Sequence, residues 1–302
     1  MMLSGLTYLD KHIFCVLLFH SHHCGRRLYW IMKKKKRTLL WQLELEDHSS
    51  VSYLLGTIHA KCDEAFFQIN DYCALIEKTN VFAAEIDLTD MGGTDFIQQA
   101  LLPDFQTLSS ILPPKKYEKL RAIIRKACGQ DIVLYDRFLP ILVVNLVHEN
   151  LLPQDQPFAL DRFLWNYASR MEKETVGLES IEQQIAVLHK ISLEDQIKDL
   201  LYLGKHISKE RRDLFKMVEI YASGDLQSLY KTAKKHVGGS RKILLYNRNL
   251  FMAKRLLEMI KANSVFCAIG AAHLGGQNGV LRLLKTAGVS VKPIEWRVYQ
   301  NA

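Results

Sequence analysis

The chain has 302 residues, 48% of them hydrophobic and 24% charged, a balance that fits a globular protein with a sizeable core and argues against a disordered, collagenous or membrane-embedded one. Its formal charge of +8 is concentrated at the start, where residues 1–37 hold eight lysines and arginines against one aspartate and leave the remainder nearly neutral. A nucleic-acid surface on the folded part is disfavoured, because phosphate binding draws on clustered Lys and Arg.

The first 37 residues read as a basic extension, either disordered or upstream of a true start at Met32. The apolar run Ile13–Phe19 is far shorter than the ~20 residues that span a bilayer. Asp10 before it and His20, His22, His23 and Arg26 after it do not resemble a cleavable signal. No stable membrane span is expected. Cys15, Cys24, Cys62, Cys73, Cys128 and Cys267 form no C-x-x-C pair, so neither a disulfide framework nor a Cys-rich zinc site is expected. Reduced thiols fit a cytoplasmic protein.

Residues 38–302 are expected to form a single α/β domain. The runs 38–45 and 51–58 flank the polar turn 46–50 and predict a hairpin. Asp63 caps a predicted helix reaching about Lys78, with Ala65, Phe66, Ile69, Tyr72, Cys73 and Ile76 at helical spacing, and Val81–Ile86 returns to strand. This strand–helix–strand order predicts a parallel pair. From about 94 to 173 the pattern is mainly helical and is broken by Pro103, Pro113, Pro114, Pro140, Pro153 and Pro157, as in a set of short helices folded over a sheet to cover a substrate. A short strand over Thr175–Glu179, amphipathic helices over 181–235, and a helix from about Arg241 to Lys261 follow. Then come the buried strand Ser264–Gly270, a helix near Gly279–Thr286 and a closing strand Val289–Ile294. The expected fold is α/β, with a central mostly parallel or mixed sheet flanked by helices and a helical insertion.

Two strands share one pattern: each ends in glycine with histidine three residues on, at Gly56-Thr-Ile-His59 and Gly270-Ala-Ala-His273. In open α/β sheets ligands bind beyond the carboxyl ends of the strands, so parallel strands would bring both turns to one edge. Glu85 ends the apolar strand Val81–Ile86, where a carboxylate is costly to bury unless it is paired or metal-bound. Two readings stay open for it: a salt bridge to a lysine or arginine, or membership with His59 and His273 of a His-His-carboxylate set for a catalytic divalent ion. Manganese, cobalt and zinc all suit that set. Glu179 is a second strand-end carboxylate, a base or further ligand on one reading and a salt-bridge partner on the other. Arg248 and Asn249 open an amphipathic helix, either to hold a substrate carboxylate or oxyanion or as a solvated capping pair. The glycine-rich stretch 270–279 lacks the Lys-Ser/Thr of a P-loop, and no Gly-x-Ser-x-Gly elbow is present.

Six phrases occur in one order between about Trp41 and Ile294: Leu54-Leu-Gly-Thr-Ile-His59, Ala84-Glu-Ile-Asp87, Phe158-Ala-Leu-Asp161, Val176-Gly-Leu-Glu179 with Gln183, Asn247-Arg-Asn249 with Met252 and Ala253, and Ala268-Ile-Gly-Ala-Ala-His-Leu-Gly275 through Gly288. They resemble the TraB/PrgY/GumN family, which is related to the TIKI metalloproteases and more distantly to erythromycin-esterase and ChaN haem-binding proteins. The resemblance implies an α/β fold with the paired Gly-x-x-His motifs and a glutamate at the active site. It matches His59, Glu85 and His273 to the metal or catalytic set and Glu179, Arg248 and Asn249 to further recurrent polar positions. It also implies metal-dependent peptidase chemistry on a peptide or small-molecule substrate, as in the TIKI branch. A non-catalytic protein holding a peptide or haem in the same cleft, and a metal-free esterase with histidine as general base, are the alternatives.

Overall fold

A computed structural model describes residues 37–295 except 47, 90–93 and 237–241. The basic extension expected at the start therefore lies, apart from Arg37, outside the described residues. In chain order the elements are β1 (Leu40–Glu44), β2 (Ser52–Thr57), α1 (Ile69–Glu77), β3 (Val81–Ile86), α2 (Thr94–Gln99), α3 (Leu108–Ile111), α4 (Pro114–Cys128), α5 (Pro140–Leu151) and α6 (Leu160–Arg170). They continue with β4 (Glu174–Glu179), α7 (Ile181–Leu188), α8 (Leu193–Ala222), α9 (Leu226–His236), α10 (Asn247–Ala262), β5 (Val265–Gly270), α11 (Val280–Thr286) and β6 (Ser290–Pro293).

The six strands form one mixed sheet in the order β4-β3-β5-β2-β1-β6. The predicted α/β class and the hairpin of β1 and β2 are both present. β4, β3, β5 and β2 run parallel, whereas β1 and β6 add an antiparallel edge. One expectation is corrected: β2 and β3 are parallel but do not pair, because β5 inserts between them and pairs with both. The reason is visible in side chains. β5 reads Val-Phe-Cys-Ala-Ile-Gly and is buried on both faces through Ile269, the composition of an interior parallel strand. Phe82 of β3 stacks on Phe266 of β5 at 6.0 Å and meets Trp165 of α6 edge-on at 6.1 Å, which fixes both the register and the helix above it.

The helix predicted from Asp63 is split. A 3-10 turn at Asp63–Ala65 comes first and α1 begins only at Ile69. The helix predicted from about Arg241 begins as a π-helical turn at Lys242–Tyr246, which α10 continues. Helices α2 to α6 occupy most of the segment expected to be helical. α6 packs on β3 and β4, while α5 lies against α8, which also touches α4 and α9. Among the described residues no helix is long and apolar enough to cross a membrane.

Gly177 is the tightest point of the sheet beside the site. It pairs with Ala84, and a Cβ there would fall 2.2 Å from the backbone nitrogen of Asp87. Main chain cannot give way like the tip of a side chain. Gly177→Ala is expected to destabilise the protein by about 1–3 kcal/mol or more, read as a lower urea midpoint. A wild-type midpoint would mean that β3 and β4 are less closely apposed than described.

Candidate active site at the strand ends

Each of the four parallel strands delivers a polar group to one edge of the sheet. Glu179 ends β4 and pairs in register with Ile86, next to Glu85 on β3. Thr57 pairs with Gly270, so the chain segments bearing His59 and His273 leave neighbouring strands side by side. Gly56 permits this: a Cβ on it would lie 2.7 Å from Leu274 Cδ1 and 3.0 Å from Ala271 Cα, atoms of the second turn. The first turn's glycine is therefore required by the close approach of the second, which is the physical content of the Gly-x-x-His echo. A 3-10 turn over Ala271–His273 carries the second histidine.

Five of the six predicted residues form one buried network. Arg248 Nε donates to both oxygens of Glu179 at 3.0 Å, and its Nη2 donates to Glu179 Oε2 and to Glu85 Oε1. Glu85 also accepts from the backbone N–H of Gly270 at 3.1 Å. Gln184 donates to both carboxylates, at 3.3 Å to Glu85 and 3.1 Å to Glu179. Gln183, singled out in the sequence, instead closes a capping box with Ser180 at the start of α7. His273 Nδ1 donates to Asn249 Oδ1 at 2.6 Å, and Nε2 lies 3.9 Å from Glu85 Oε1. Asn249 is oriented by its amide, which donates to the carbonyl of Asn278 at 2.7 Å. That orientation places the proton of His273 on Nδ1 and leaves Nε2 with its lone pair.

His59 sits in a second cluster, with partners the sequence reading did not assign. Its Nδ1 donates to both oxygens of Asp161 at 2.9 and 3.0 Å, and its buried Nε2 faces Glu149 Oε2 at 3.5 Å. Lys61 pairs with the other oxygen of Glu149 at 2.9 Å. Asp161 opens α6 and Glu149 lies near the end of α5, so the helical segment supplies half of this cluster. The signal for Glu149 was present in Pro140–Leu151, where His148 and Glu149 interrupt an apolar helix. Asp161 stood in the Phe158-Ala-Leu-Asp161 phrase without an assigned role.

The two histidines are tuned in opposite directions. Burial works to strip His59 of its proton, but the charges and hydrogen bonds of Asp161 and Glu149 outweigh it and raise its pKa to about 10. For His273 burial dominates, Arg248 adds repulsion and Glu85 compensates only in part, so the pKa falls to about 4. Burial penalises the Glu85 carboxylate too, yet Arg248 holds it ionised with a pKa of about 2. Burial pushes the Cys62 thiol up to about 12 and the Cys267 thiol well above its usual range, so neither is a thiolate nucleophile at neutral pH.

Asn249→Ala removes the acceptor for His273 Nδ1–H inside the core. It is expected to cost about 1–3 kcal/mol in urea unfolding. Wild-type stability would show that Asn249 does not orient the ring.

The donor chemistry suits a divalent cation. His59 and His273 each commit Nδ1 to an oxygen acceptor, the arrangement that fixes Nε2 as a ligand atom, and Glu85 supplies an ionised carboxylate. Among the described residues no three His, Cys, Asp or Glu side chains converge as a ready-formed metal group.

The TraB/PrgY/gumN family matches residues 39–293. Metalloprotease TIKI1 of Xenopus tropicalis is 26% identical, covering 86% of this chain and 63% of its own length. Metalloprotease TIKI2 of Danio rerio is 24% identical over 87% of the chain and 62% of its own. For human Metalloprotease TIKI1 the values are 25%, 84% and 61%. The chain thus spans about three fifths of the length of these relatives. No solved structure matches it.

Proposed function

The chain belongs to the TraB/PrgY/gumN family, and from that premise we propose that it is a metal-dependent, peptidase-like hydrolase. His59, His273 and Glu85 would hold a divalent ion, with manganese, cobalt and zinc all compatible with the donors. The observation that carries this reading is the pair of Gly-x-x-His turns at adjacent parallel strand ends, each with Nδ1 engaged by an oxygen. The relatives named as metalloproteases support it. A bound ion would polarise a substrate carbonyl and lower the pKa of a bound water.

The remaining roles belong to the chain itself. Asp161 and Asn249 lock the two imidazole rings. Arg248 keeps Glu85 ionised at the sheet edge, and Glu179 anchors the guanidinium that would face a substrate oxygen. Glu149, beside His59 Nε2, is the carboxylate placed to take a proton.

The His59–Asp161 pair also favours a second reading, metal-free hydrolysis with His59 as general base. It is the weaker of the two, because it uses only the first turn and leaves His273, held by Asn249 on the adjacent strand end, without a role. The test is a quenched-fluorescence peptide library incubated with the chain after chelation and after reloading with manganese, cobalt or zinc separately. Cleavage that is lost on chelation and restored by reloading supports the proposal. Cleavage that persists in chelator establishes the metal-free route, and peptide retained without cleavage establishes a binding protein.

A further inference from the structure

Beside His59 and Glu149 lies a cavity of about 70 Å³ whose wall is mainly apolar. Leu152 on α5, Leu214 and Met217 on α8, and Leu229 and Ala233 on α9 form much of it, closed near the second turn by Ala272. Tyr221 also contributes, but its hydroxyl is occupied, donating to the carbonyl of Gly56 at 3.1 Å. Thr57 and His148 also line the cavity, and the buried Thr57 hydroxyl makes no hydrogen bond, so the polar groups an entering side chain meets are neutral or already ion-paired and lie in a mainly apolar wall. Its carboxylate is engaged as well: Lys61 holds one oxygen of Glu149 and the other faces His59. A lysine or arginine side chain entering here would leave water without a new ion pair.

The position matters more than the polarity. Ile58 on the wall is partly exposed and the His59 side chain keeps 6% exposure, whereas Leu214, Leu229 and Ala233 are buried. A group that passes His59 thus meets buried apolar surface. On the measure by which a single water needs roughly 10–15 Å³, the cavity holds about five water-sized groups. That matches the length of a leucine or methionine side chain and falls short of a tryptophan.

We infer that this cavity is the specificity subsite of the chain, receiving an unbranched or γ-branched aliphatic side chain of a peptide substrate beside the scissile bond. The inference rests on the hydrolase reading for its location next to the reacting groups, but its binding prediction does not require turnover. Met217 and Ala233 are the specificity-determining residues: Met217 is the adaptable wall, and Ala233 sets the free volume by its small size. Discrimination of leucine from alanine is expected to be about ten- to a hundredfold, the range that a few methylenes in an apolar pocket provide.

The test uses blocked tripeptides Ala-Xaa-Ala, with Xaa as leucine, alanine, lysine, aspartate or phenylalanine, titrated into the full chain carrying ¹³C-methyl methionine, in chelator. Met217→Leu identifies the Met217 methyl signal. The leucine peptide is expected to shift that signal saturably, with an affinity at least about tenfold above the alanine peptide and no response to lysine or aspartate. Ala233→Leu should abolish the leucine response, and Met217→Ala, titrated by calorimetry because it removes the reporting methyl, should move the preference toward phenylalanine. No shift with any peptide, or equal shifts with leucine and lysine, overturns the inference. Selective leucine binding by a protein that never hydrolyses peptide would leave the subsite standing and remove the hydrolase reading. Hydrolysis indifferent to Xaa would do the reverse.

Discussion

Arg248→Ala is expected to be the most damaging single substitution at the site, lowering stability by about 3–5 kcal/mol, because it strands two carboxylates that share one buried cation. Glu85 and Glu179 would then face each other through Gln184 alone, which bonds both but carries no charge. Arg248→Lys should recover only part of the loss. The guanidinium reaches both carboxylates from a planar fork, and an ammonium is a single point charge.

The pH dependence gives this prediction a second, independent reading. In the wild type Glu85 has a pKa of about 2, below its ordinary value of 4.5. A carboxylate depressed in the folded state contributes stability that is present above pH 4.5 and is lost as pH falls toward 2. Without Arg248 the sign reverses. Burial then favours the protonated acid, so the deficit of the variant against wild type should shrink between pH 7 and pH 4. Urea midpoints across that interval check it. A deficit that stays constant with pH would mean that the loss is one of packing and not of charge.

On the proposed hydrolase reading, Asp161→Asn is expected to reduce hydrolysis by about two to four orders of magnitude, the scale seen when a carboxylate behind a catalytic histidine is replaced by its amide. The physical cause lies in the tautomer. Asp161 accepts from Nδ1 at 2.9 and 3.0 Å, so Nε2 is the nitrogen that must give up its proton before the ring can hold an ion. An asparagine that turned its amide toward the ring would donate to Nδ1 and move the proton to Nε2. It would also remove the charge that contributes most to holding His59 ionised. Nitrogen NMR of the imidazole should report the change of tautomer directly, alongside kcat. Unchanged kcat with an unchanged tautomer would reduce Asp161 to a surface ion pair, despite its place at the start of α6.

How much of this could be read from the sequence depends on how local the cause is. β5 was legible because a buried parallel strand must be continuously apolar, and Val265–Ile269 is. The paired turns were legible because Gly56 and Gly270 precede their histidines by the same interval. Strand order was not. Nothing local to β2 or β3 tells that β5, arriving almost 180 residues later, takes the place between them. Glu85 and Glu179 were recognisable as strand-end carboxylates, but their shared partner comes from the start of α10, and both could equally have bonded a nearby lysine. Glu149 was legible as a polar break beside His148 in an apolar helix, but nothing local tells that it faces His59. Gln184 was missed by one position, since capping claims Gln183 and turns its neighbour toward the carboxylates.

The central claim is that His59, Glu85 and His273 hold a metal ion, and metal content after controlled reloading tests it most directly. The purified chain would be stripped with chelator, reloaded separately with manganese, cobalt and zinc, desalted and measured by mass spectrometry beside His59→Ala, Glu85→Gln and His273→Ala, each confirmed folded by circular dichroism. The account predicts stoichiometric metal in the wild type for at least one of the three ions and loss of it in every variant. A folded wild type that retains none of the three, or variants that retain as much as it does, would contradict the account.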